Sequence, residues 1–208
     1  MHFLLYFCNM NRFPLFFINS NLTNFNLDEA LPLLDQQRRE ETLRYRNHEL
    51  QVQRAATWLL LKDALQQVFG IDVMPQIALG EHGKPFFPQL PHIHFNLSHC
   101  KHAVACAVSC HEVGIDIESV RQQFNQQLAR YVLTDTELEQ VMSSTQPELT
   151  FIRFWTLKES IVKLTGKGIS DNIKTVLERF NQRIISTTTI DTELRYACTI
   201  TSYKADFD

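Results

Sequence analysis

The segment Val113–Glu118, VGIDIE, places two carboxylates in what its composition predicts to be a buried β-strand. Because side chains alternate across a strand, Asp116 and Glu118 share one face, opposite to the isoleucines. Two like charges on one face repel each other, and burying either is costly without compensation. A bound cation would compensate the charges, and a solvated sheet face would make them harmless. The segment alone leaves both explanations open.

A second segment that could carry chemistry is Phe154–Gly168, FWTLKESIVKLTGKG. On a helix, Trp155, Glu159 and Lys163 are four residues apart and share a face. A salt bridge on a solvated helix would explain a lone Glu–Lys pair, but Trp155 makes this face partly apolar. Lysines also surround the glycine-containing end of the segment, where phosphate oxygens could bind. They are Lys158, Lys163 and Lys167.

Two shorter motifs are less specific on their own. Gly83–Pro85 is a turn that presents Lys84 from a stiffened backbone, although turns often carry a solvated lysine. The motif FNLSHC, Phe95–Cys100, places Ser98 and His99 at the end of a strand. Adjacency does not make these two side chains a nucleophile and its base, and a hydrogen-bonded strand end explains the motif equally well.

Length, composition and charge restrict the class of protein. The chain has 208 residues, 44% of them hydrophobic and 21% charged, which is ordinary for one globular domain or two small ones. Its net charge of −3 gives no electrostatic argument for a nucleic-acid partner, although a local basic cluster could hold a small phosphate ligand.

The cysteines and the N-terminus indicate a cytoplasmic protein. The chain has five cysteines and no CxxC pair, which argues against a disulfide scaffold and for a reducing compartment. Several histidines lie near Cys100, Cys106 and Cys110, but their spacing matches no tetrahedral zinc template. The apolar first 19 residues lack a basic leading region and are interrupted by polar residues and Pro14. We therefore expect a first strand at 14–19 and neither a signal peptide nor a membrane span.

Capping residues and hydrophobic spacing predict the elements of the first half. Asn26 with Glu29 resembles an N-cap pair that opens a short helix over 27–34, and 35–45 is a second helical stretch. Apolar residues recur at three- and four-residue steps from His48 to Phe69, and Gly70 follows, which predicts one long amphipathic helix. Strands are predicted within 72–80, 92–98, 103–109 and 112–118.

The second half repeats this order. Thr134 and Glu137 form a capping box for a helix through about residue 142, and a longer helix over 149–164 stops at Gly166. Strands are predicted at 173–180, 183–190 and 194–204. A long helix, a glycine and then strands thus occur twice, which predicts an α+β protein of two similar halves, residues 1–110 and 111–208.

The order of the motifs along the chain closely resembles the 4′-phosphopantetheinyl transferases of the longer, surfactin-synthetase-activating type. GIDIE and WTLKESIVKLTGKG are specific to that family, and GKP and FNLSH occur at the expected separations. The resemblance extends from about Phe16 to Ser170. It implies a pseudo-dimer of two α+β halves with the active site in the cleft between them.

The resemblance implies an enzyme, a holo-[acyl-carrier-protein] synthase. Such enzymes transfer the 4′-phosphopantetheine arm of coenzyme A to a serine of an apo acyl or peptidyl carrier protein and release 3′,5′-adenosine bisphosphate. The carriers serve fatty acid, polyketide or nonribosomal peptide biosynthesis. Phosphoryl transfer at a pyrophosphate needs a hard cation and positioned positive charge, so Mg²⁺ is the expected cofactor. We expect a cytoplasmic monomer without nucleic-acid or membrane partners.

The resemblance also assigns roles by position. Asp116, Glu118 and Glu159 are the implied metal ligands, and a cation between them would explain why the strand tolerates two acids. Glu159 is also expected to take the serine proton, directly or through water, with Lys163 near the pyrophosphate. Glu137 matches an acidic residue near the cleft. The implied contacts to coenzyme A are Arg38, Arg54, Lys84, Pro85, Ser98, His99, Lys158 and Lys163.

The chain departs from the family pattern in three places, and rival functions remain. Cys100 stands where a small hydroxyl residue is common. A second basic phosphate contact, expected one turn after Arg38, falls near Glu41 or Thr42. The sequence also stops before the last strand that such enzymes carry, which predicts a shortened second sheet. The rivals are a non-catalytic carrier-protein-binding module on the same fold and a Mg²⁺-dependent hydrolase of nucleotide pyrophosphates.

Overall fold

Two antiparallel sheets and two long helices form most of the protein. The computed structural model describes residues 4–6, 14–120, 125–168 and 172–205. The strands are β1 (Leu4–Tyr6), β2 (Leu15–Asn19), β3 (Ala78–Leu79), β4 (Pro85–Phe86), β5 (His94–His99), β6 (Val104–Ser109), β7 (Val113–Ser119), β8 (Ile184–Asp191) and β9 (Tyr196–Tyr203). The helices are α1 (Leu27–Ala30), α2 (Gln36–Leu43), α3 (His48–Phe69), α4 (Gln126–Val132), α5 (Asp135–Ser143), α6 (Pro147–Thr165) and α7 (Val176–Phe180).

Capping residues fix the ends of the two long helices. The side chain of Asn47 accepts hydrogen bonds from the first backbone N–H groups of α3, and Gly70 ends the helix with a left-handed φ of 67°. Helix α6 begins with Pro147 in its first turn and ends at Gly166, whose φ is 64°. The predicted span of α3 is confirmed, as is the capping box of Thr134 and Glu137 at the start of α5.

The two sheets pack face to face across a shared apolar layer. One sheet has the order β1-β2-β6-β5 and the other β7-β9-β8, each antiparallel throughout. Alternate residues of β2 and β6 pack on α3, and the intervening residues belong to one cluster with β7 and β9. Ile115 and Ile117 lie in this second cluster and are fully buried. Each contributes about 1.5–3 kcal/mol relative to an exposed side chain.

The other face of β7 lies against α6. A Cβ atom at Gly114 would approach the carbonyl oxygen of Ser160 to 1.9 Å, so only glycine permits this strand and helix to meet so closely. Since Gly114 and Asp116 share a face, the acidic face of β7 points toward α6 rather than toward bulk solvent.

Side chains of β5 bridge the two sheets. Asn96 Oδ1 accepts a hydrogen bond from the backbone N–H of Ile115 (3.0 Å), and Ser98 Oγ accepts one from that of Ile117 (3.2 Å). These bonds satisfy backbone donors of β7 that would otherwise be buried without partners. They fix the position of β7, and therefore of Asp116, relative to the first sheet.

Some predicted elements need correction. Residues 173–180 were predicted as a strand, which is wrong: Ile173–Thr175 forms a 3₁₀ turn and Val176–Phe180 is helix α7. Asn172 starts this segment by accepting a hydrogen bond from Lys174 N, and Ile173 and Val176 are buried three residues apart. The predicted strand at 72–80 shortens to Ala78–Leu79.

Other expectations are confirmed or lie outside the described residues. The strand β2 and the N-cap of α1 at Asn26 are found as predicted. The expectations for residues 1–3 and 7–13, including Cys8, lie outside the described part of the chain. Cys100, Cys106, Cys110 and Cys198 are free thiols. Within the described ranges, no helix has the length and apolar character needed to span a membrane.

Candidate active site

A cleft of about 840 Å³ runs between the first sheet with its helices and α6. This volume lies within the range of cofactor-sized pockets. Both sheets contribute to its walls, through β5 and β7, and so do α2, α3, α6 and the β3–β4 hairpin. The polar and charged residues that line it are Gln37, Arg38, Glu41, Arg54, Thr57, Ser98, His99, Asp116, Glu118, Glu159 and Lys163, beside Trp58, Trp155, Leu79, Gly83 and Pro85.

Asp116 is the centre of a hydrogen-bonded cluster in this cleft. It is only 4% exposed, and its Oδ1 accepts hydrogen bonds from Lys163 Nζ (2.7 Å) and Ser98 Oγ (2.9 Å). Lys163 Nζ also donates to Ser98 Oγ (2.9 Å). Asp116 Oδ2 is buried and has no hydrogen-bond partner among the described residues. A buried acceptor in that state costs about 1–3 kcal/mol, which a fold retains only for a reason.

Glu159 stands one helical turn before Lys163 and faces the same cleft. Burial raises the pKa of its carboxyl, the negative charge of Asp116 raises it further, and Lys163 partly opposes both effects. A carboxylate with a raised pKa is a stronger base than an exposed glutamate, which suits Glu159 to accept a proton.

The carboxylate oxygens of this cluster suit a hard cation whose remaining coordination positions would be filled by a bound ligand. Among the described residues, no group of three or more His, Cys, Asp and Glu side chains is arranged to hold a metal ion by itself. However, Mg²⁺ is commonly held by one or two carboxylates together with substrate phosphates and water. The unpartnered Asp116 Oδ2 is a ready ligand, and Glu118 and Glu159 line the same cleft.

Two arginines form a cationic wall on the other side of the cleft. The Arg38 guanidinium lies over the Trp58 ring, 4.2 Å from its centroid, and Arg38 Nη1 donates to Glu41 Oε2 at 2.7 Å. Arg54 lies over the ring of Tyr45 (5.3 Å) and donates a hydrogen bond to its hydroxyl (2.8 Å). Aromatic contacts hold both guanidinium groups in place, and each keeps donors for an anion.

His99 lines the cleft between this wall and Lys163 as an uncharged imidazole. Burial lowers its pKa, and the positive charges of Arg54 and Lys163 lower it further. At neutral pH His99 can therefore donate a hydrogen bond to a phosphate but adds no positive charge.

Lys84 does not line the cleft, although its neighbours Gly83 and Pro85 do. Its ammonium group forms an ion pair with Glu112 and donates to the carbonyl oxygen of Leu164 (2.8 Å). Lys84 therefore attaches the β3–β4 hairpin to the end of α6, through an ammonium group that already has two partners.

Lys158 is also placed elsewhere. It is fully buried, and its Nζ pairs with Glu137 Oε2 (2.8 Å) and donates to the carbonyl oxygens of Ile173 and Lys174. Burial lowers the pKa of this ammonium group, and the bond and charge of Glu137 oppose that shift. The Glu137 carboxylate binds Lys158 and also accepts a hydrogen bond from Thr134 N. This placement does not favour the coenzyme A contact expected for Lys158, and Glu137 is not among the residues that line the cleft.

The sequence motifs predicted many of the polar residues that line the cleft but gave no role to Asn96. Asn96 is 5% exposed and holds the backbone of β7 beside Asp116. Its spacing of two from Ser98 on β5, which puts both side chains on one face, was the available signal. Trp58 supports Arg38, and its only signal in the sequence is its place among the apolar residues of α3.

Comparisons with known proteins find similarity to one family of transferases. The family model described as the 4′-phosphopantetheinyl transferase superfamily matches residues 112–207. A 4′-phosphopantetheinyl transferase of Bacillus subtilis is 29% identical over 185 residues, 86% of this chain and 80% of that protein. The 4′-phosphopantetheinyl transferase Sfp of Bacillus subtilis (strain 168) is 27% identical over the same shares. The transferase AcpT of Salmonella typhi is 37% identical over 118 residues, 54% of this chain and 60% of that protein.

The matched region contains β7 and α6, which carry Asp116, Glu118, Glu159 and Lys163. These similarities support an enzyme of the 4′-phosphopantetheinyl transferase superfamily, of the surfactin-synthetase-activating type.

Proposed function

We propose that this protein transfers the 4′-phosphopantetheine arm of coenzyme A to a serine of an apo acyl or peptidyl carrier protein. The family model and the similar transferases support the transfer itself. The further parts of the proposal are that the reaction depends on Mg²⁺, that it releases 3′,5′-adenosine bisphosphate, and that the cleft is the active site.

One observation carries the proposal: a single cleft joins the Asp116 cluster to the cationic wall. The cluster offers an unpartnered carboxylate oxygen and the ammonium group of Lys163. The wall offers two stacked guanidinium groups. A nucleotide that carries both a pyrophosphate and a separate phosphomonoester needs such a pair of sites, and coenzyme A has both groups.

The cationic wall supports binding of the 3′-phosphoadenosine part. Arg54 would donate charged hydrogen bonds to the 3′-phosphate, and His99 would donate a neutral one. Arg38 would contribute through the donors that Glu41 leaves unused. Gly83 and Pro85 would place backbone groups near the adenine. The proposed binding site does not include Lys84 and Lys158, because their ammonium groups bind Leu164 O and Glu137 respectively.

The carboxylate side of the cleft would hold the cation. The proposed ligands of Mg²⁺ are Asp116, through its Oδ2 atom, Glu118 and Glu159. When bound, Mg²⁺ would withdraw charge from the pyrophosphate oxygens and help neutralise the charge that develops on them. Asp116 Oδ1 keeps Lys163 beside this position, and the Ser98 hydroxyl fixes the orientation of both groups.

The residues of the cleft support an in-line transfer. The carrier serine Oγ attacks the β-phosphorus while the bond from that phosphorus to the bridging oxygen breaks, and 3′,5′-adenosine bisphosphate leaves. Glu159, which faces the cleft beside Lys163, takes the serine proton directly or through water. Lys163 stabilises negative charge on the pyrophosphate as the bond breaks.

The topology supports a pseudo-dimer of residues 1–110 and 111–208. In the first half, β2, α3, β5 and β6 follow in sequence and pair in the order β2-β6-β5. In the second half, β7, α6, β8 and β9 follow in sequence and pair in the order β7-β9-β8. The two halves thus share element order and strand order, and a single chain supplies both sides of the cleft. We therefore propose a monomer as the active form.

The proposal is tested by incubating the protein with coenzyme A, Mg²⁺ and a panel of apo carrier proteins, followed by intact-mass analysis of the carriers. A carrier that gains the mass of the phosphopantetheine arm, only when Mg²⁺ is present, supports the proposal. Hydrolysis of coenzyme A without any carrier would instead indicate a pyrophosphate hydrolase. Carrier binding without a mass change would indicate a non-catalytic binding module.

A further inference from the structure

Glu41 is an acid inside the part of the cleft that would bind an anion. It stands on α2 and lines the main cleft together with Arg38 and Arg54. It also lines an adjoining cavity of about 330 Å³ with Arg44, Tyr45, Arg54 and Trp58. Since Arg54 borders both cavities as well, Glu41 lies where a phosphate held by the cationic wall would meet negative charge.

Both carboxylate oxygens of Glu41 are engaged. Oε1 accepts a hydrogen bond from Gln37 Nε2 (3.0 Å), and Oε2 accepts one from Arg38 Nη1 (2.7 Å). The side chain of Glu41 is 34% exposed, and that of Arg38 only 10%. One donor of Arg38 is therefore already occupied by a carboxylate of the chain itself, and both residues line the cleft.

Arg38 does not need Glu41 to hold its orientation. Its guanidinium lies 4.2 Å from the centroid of the Trp58 ring, and its side chain is largely buried. Because stacking fixes the guanidinium plane, removing the carboxylate would free a donor without releasing the arginine. Glu41 is thus a competitor for Arg38 rather than a support for it.

We propose that Glu41 determines nucleotide specificity by competing with the 3′-phosphate of coenzyme A for Arg38. It thereby lowers the preference of the enzyme for coenzyme A over 3′-dephospho-coenzyme A. This inference rests on the proposed function. A ligand without the 3′-phosphate meets no such competition, so the effect of Glu41 depends on that one group.

Glu40 provides a matched control on the same helix. It also accepts a hydrogen bond from the glutamine four residues before it, Gln36 Nε2 to Glu40 Oε1 at 2.9 Å. It is exposed and does not line the cleft. Glu41→Gln and Glu40→Gln therefore make the same charge change one residue apart, and only the first alters the contact with Arg38.

The experiment measures the affinity of wild type and both variants for coenzyme A and for 3′-dephospho-coenzyme A by calorimetry. We expect Glu41→Gln to tighten coenzyme A binding by about three- to thirtyfold, the range between a partly exposed charge pair and a charge-assisted hydrogen bond. Binding of 3′-dephospho-coenzyme A should stay within about twofold, and Glu40→Gln should change neither affinity by more than that.

Other outcomes overturn the inference. Weaker coenzyme A binding in Glu41→Gln would mean that Glu41 supports Arg38. Equal changes for both ligands, or in both variants, would mean a general charge effect. If wild type binds coenzyme A and Glu41→Gln changes nothing, only the inference fails. If wild type transfers no arm and binds neither ligand, the proposed function fails, and the inference fails with it.

Discussion

Helix α6 carries two lysine–carboxylate pairs that are built very differently. Lys158 pairs with Glu137 at 2.8 Å, and the lysine side chain has no exposed surface. Lys163 pairs with Asp116 at 2.7 Å, and its side chain remains 28% exposed to the cleft. In the first pair, Lys158 also donates hydrogen bonds to two carbonyl oxygens. In the second pair, Asp116 Oδ2 is buried and has no hydrogen-bond partner among the described residues.

The difference separates a contact that holds the fold from one that is kept for a ligand. The Lys158–Glu137 pair joins α6, α5 and the segment before α7 in a closed network. The Lys163–Asp116 pair also joins two elements, yet it leaves an oxygen unpaired and stands beside another carboxylate, Glu159. Incomplete pairing inside a cleft costs stability, and binding of a ligand there can recover it.

The largest effect on stability is expected from Lys158→Met. The change removes the ammonium group and leaves Glu137 buried without its cation, which costs about 3–5 kcal/mol of unfolding free energy. Urea unfolding measures this loss. Glu137→Gln in the same background serves as a control, because the double variant no longer buries an unpaired charge and should recover part of the loss. A loss below about 1 kcal/mol for the single variant would contradict the structural role.

The largest effect on turnover is expected from Glu159→Gln. The variant keeps the side-chain shape and an oxygen but loses the charge and the basicity of Glu159. Transfer should slow by roughly 10²–10⁴, the scale of general-base catalysis, while unfolding free energy changes little. Steady-state kinetics at increasing Mg²⁺ provide the measurement. If saturating Mg²⁺ restores near wild-type rates, Glu159 is only a ligand and another base, such as water, takes the proton.

A smaller effect, on affinity alone, is expected at the cationic wall. Arg54→Ala and His99→Ala should each weaken coenzyme A binding by about 1.5–3 kcal/mol, the usual scale for hydrogen bonds to charged groups. The wild-type protein should bind 3′-dephospho-coenzyme A less tightly than coenzyme A, and both variants should discriminate much less. If the variants lose the same affinity for both ligands, these residues do not contact the 3′-phosphate.

The smallest effect is expected at a third pair, Lys84 and Glu112. Burial raises the pKa of the Glu112 carboxyl, but hydrogen bonds from His94 and Lys84 outweigh it and lower that pKa to about 2. The contribution of this carboxylate is complete above its unfolded-state pKa, about 4.3, and is lost as pH falls toward 2. Because Glu112 is half exposed, we expect its carboxylate to contribute less than about 1 kcal/mol to the unfolding free energy.

The test for Glu112 compares wild type with Glu112→Gln at pH 7 and at pH 3. The difference in unfolding free energy between the two proteins should shrink at the lower pH. A difference that stays constant between these values would show that the Lys84–Glu112 pair does not depend on the charge of Glu112 in this range.

The sequence predicted the parts of the site that depend on local spacing. Alternation along β7 placed Asp116 and Glu118 on one face, and four-residue spacing placed Glu159 with Lys163. The same helical geometry separates Lys158 from Lys163 by about 140° around α6, since five residues advance a helix by that angle beyond a full turn. The angular position of Lys158 on α6 thus already indicates that it faces away from the cleft, although it belongs to the same sequence motif as Lys163.

The remaining features depend on contacts between distant segments. Lys84 and Leu164 meet only because the β3–β4 hairpin packs on the end of α6, and no local pattern indicates that contact. Asn96 bonds to the backbone of β7 across two sheets. The local pattern of residues 173–180 suited a short strand as well as a short helix, and the structure shows a cap at Asn172, a 3₁₀ turn and helix α7.

The measurement that tests the central claim most directly is a paired one on Asp116→Asn: unfolding free energy in urea and rate of arm transfer to a carrier. Asparagine keeps the acceptor for Lys163 and Ser98 but removes the charge that faces Glu159. We expect an unfolding free energy within about 1 kcal/mol of wild type, because the lost repulsion with Glu159 offsets the lost charge of the pair with Lys163. We also expect loss of Mg²⁺-dependent transfer. A stability loss as large as that of Lys158→Met, or transfer at the wild-type rate, would contradict the claim.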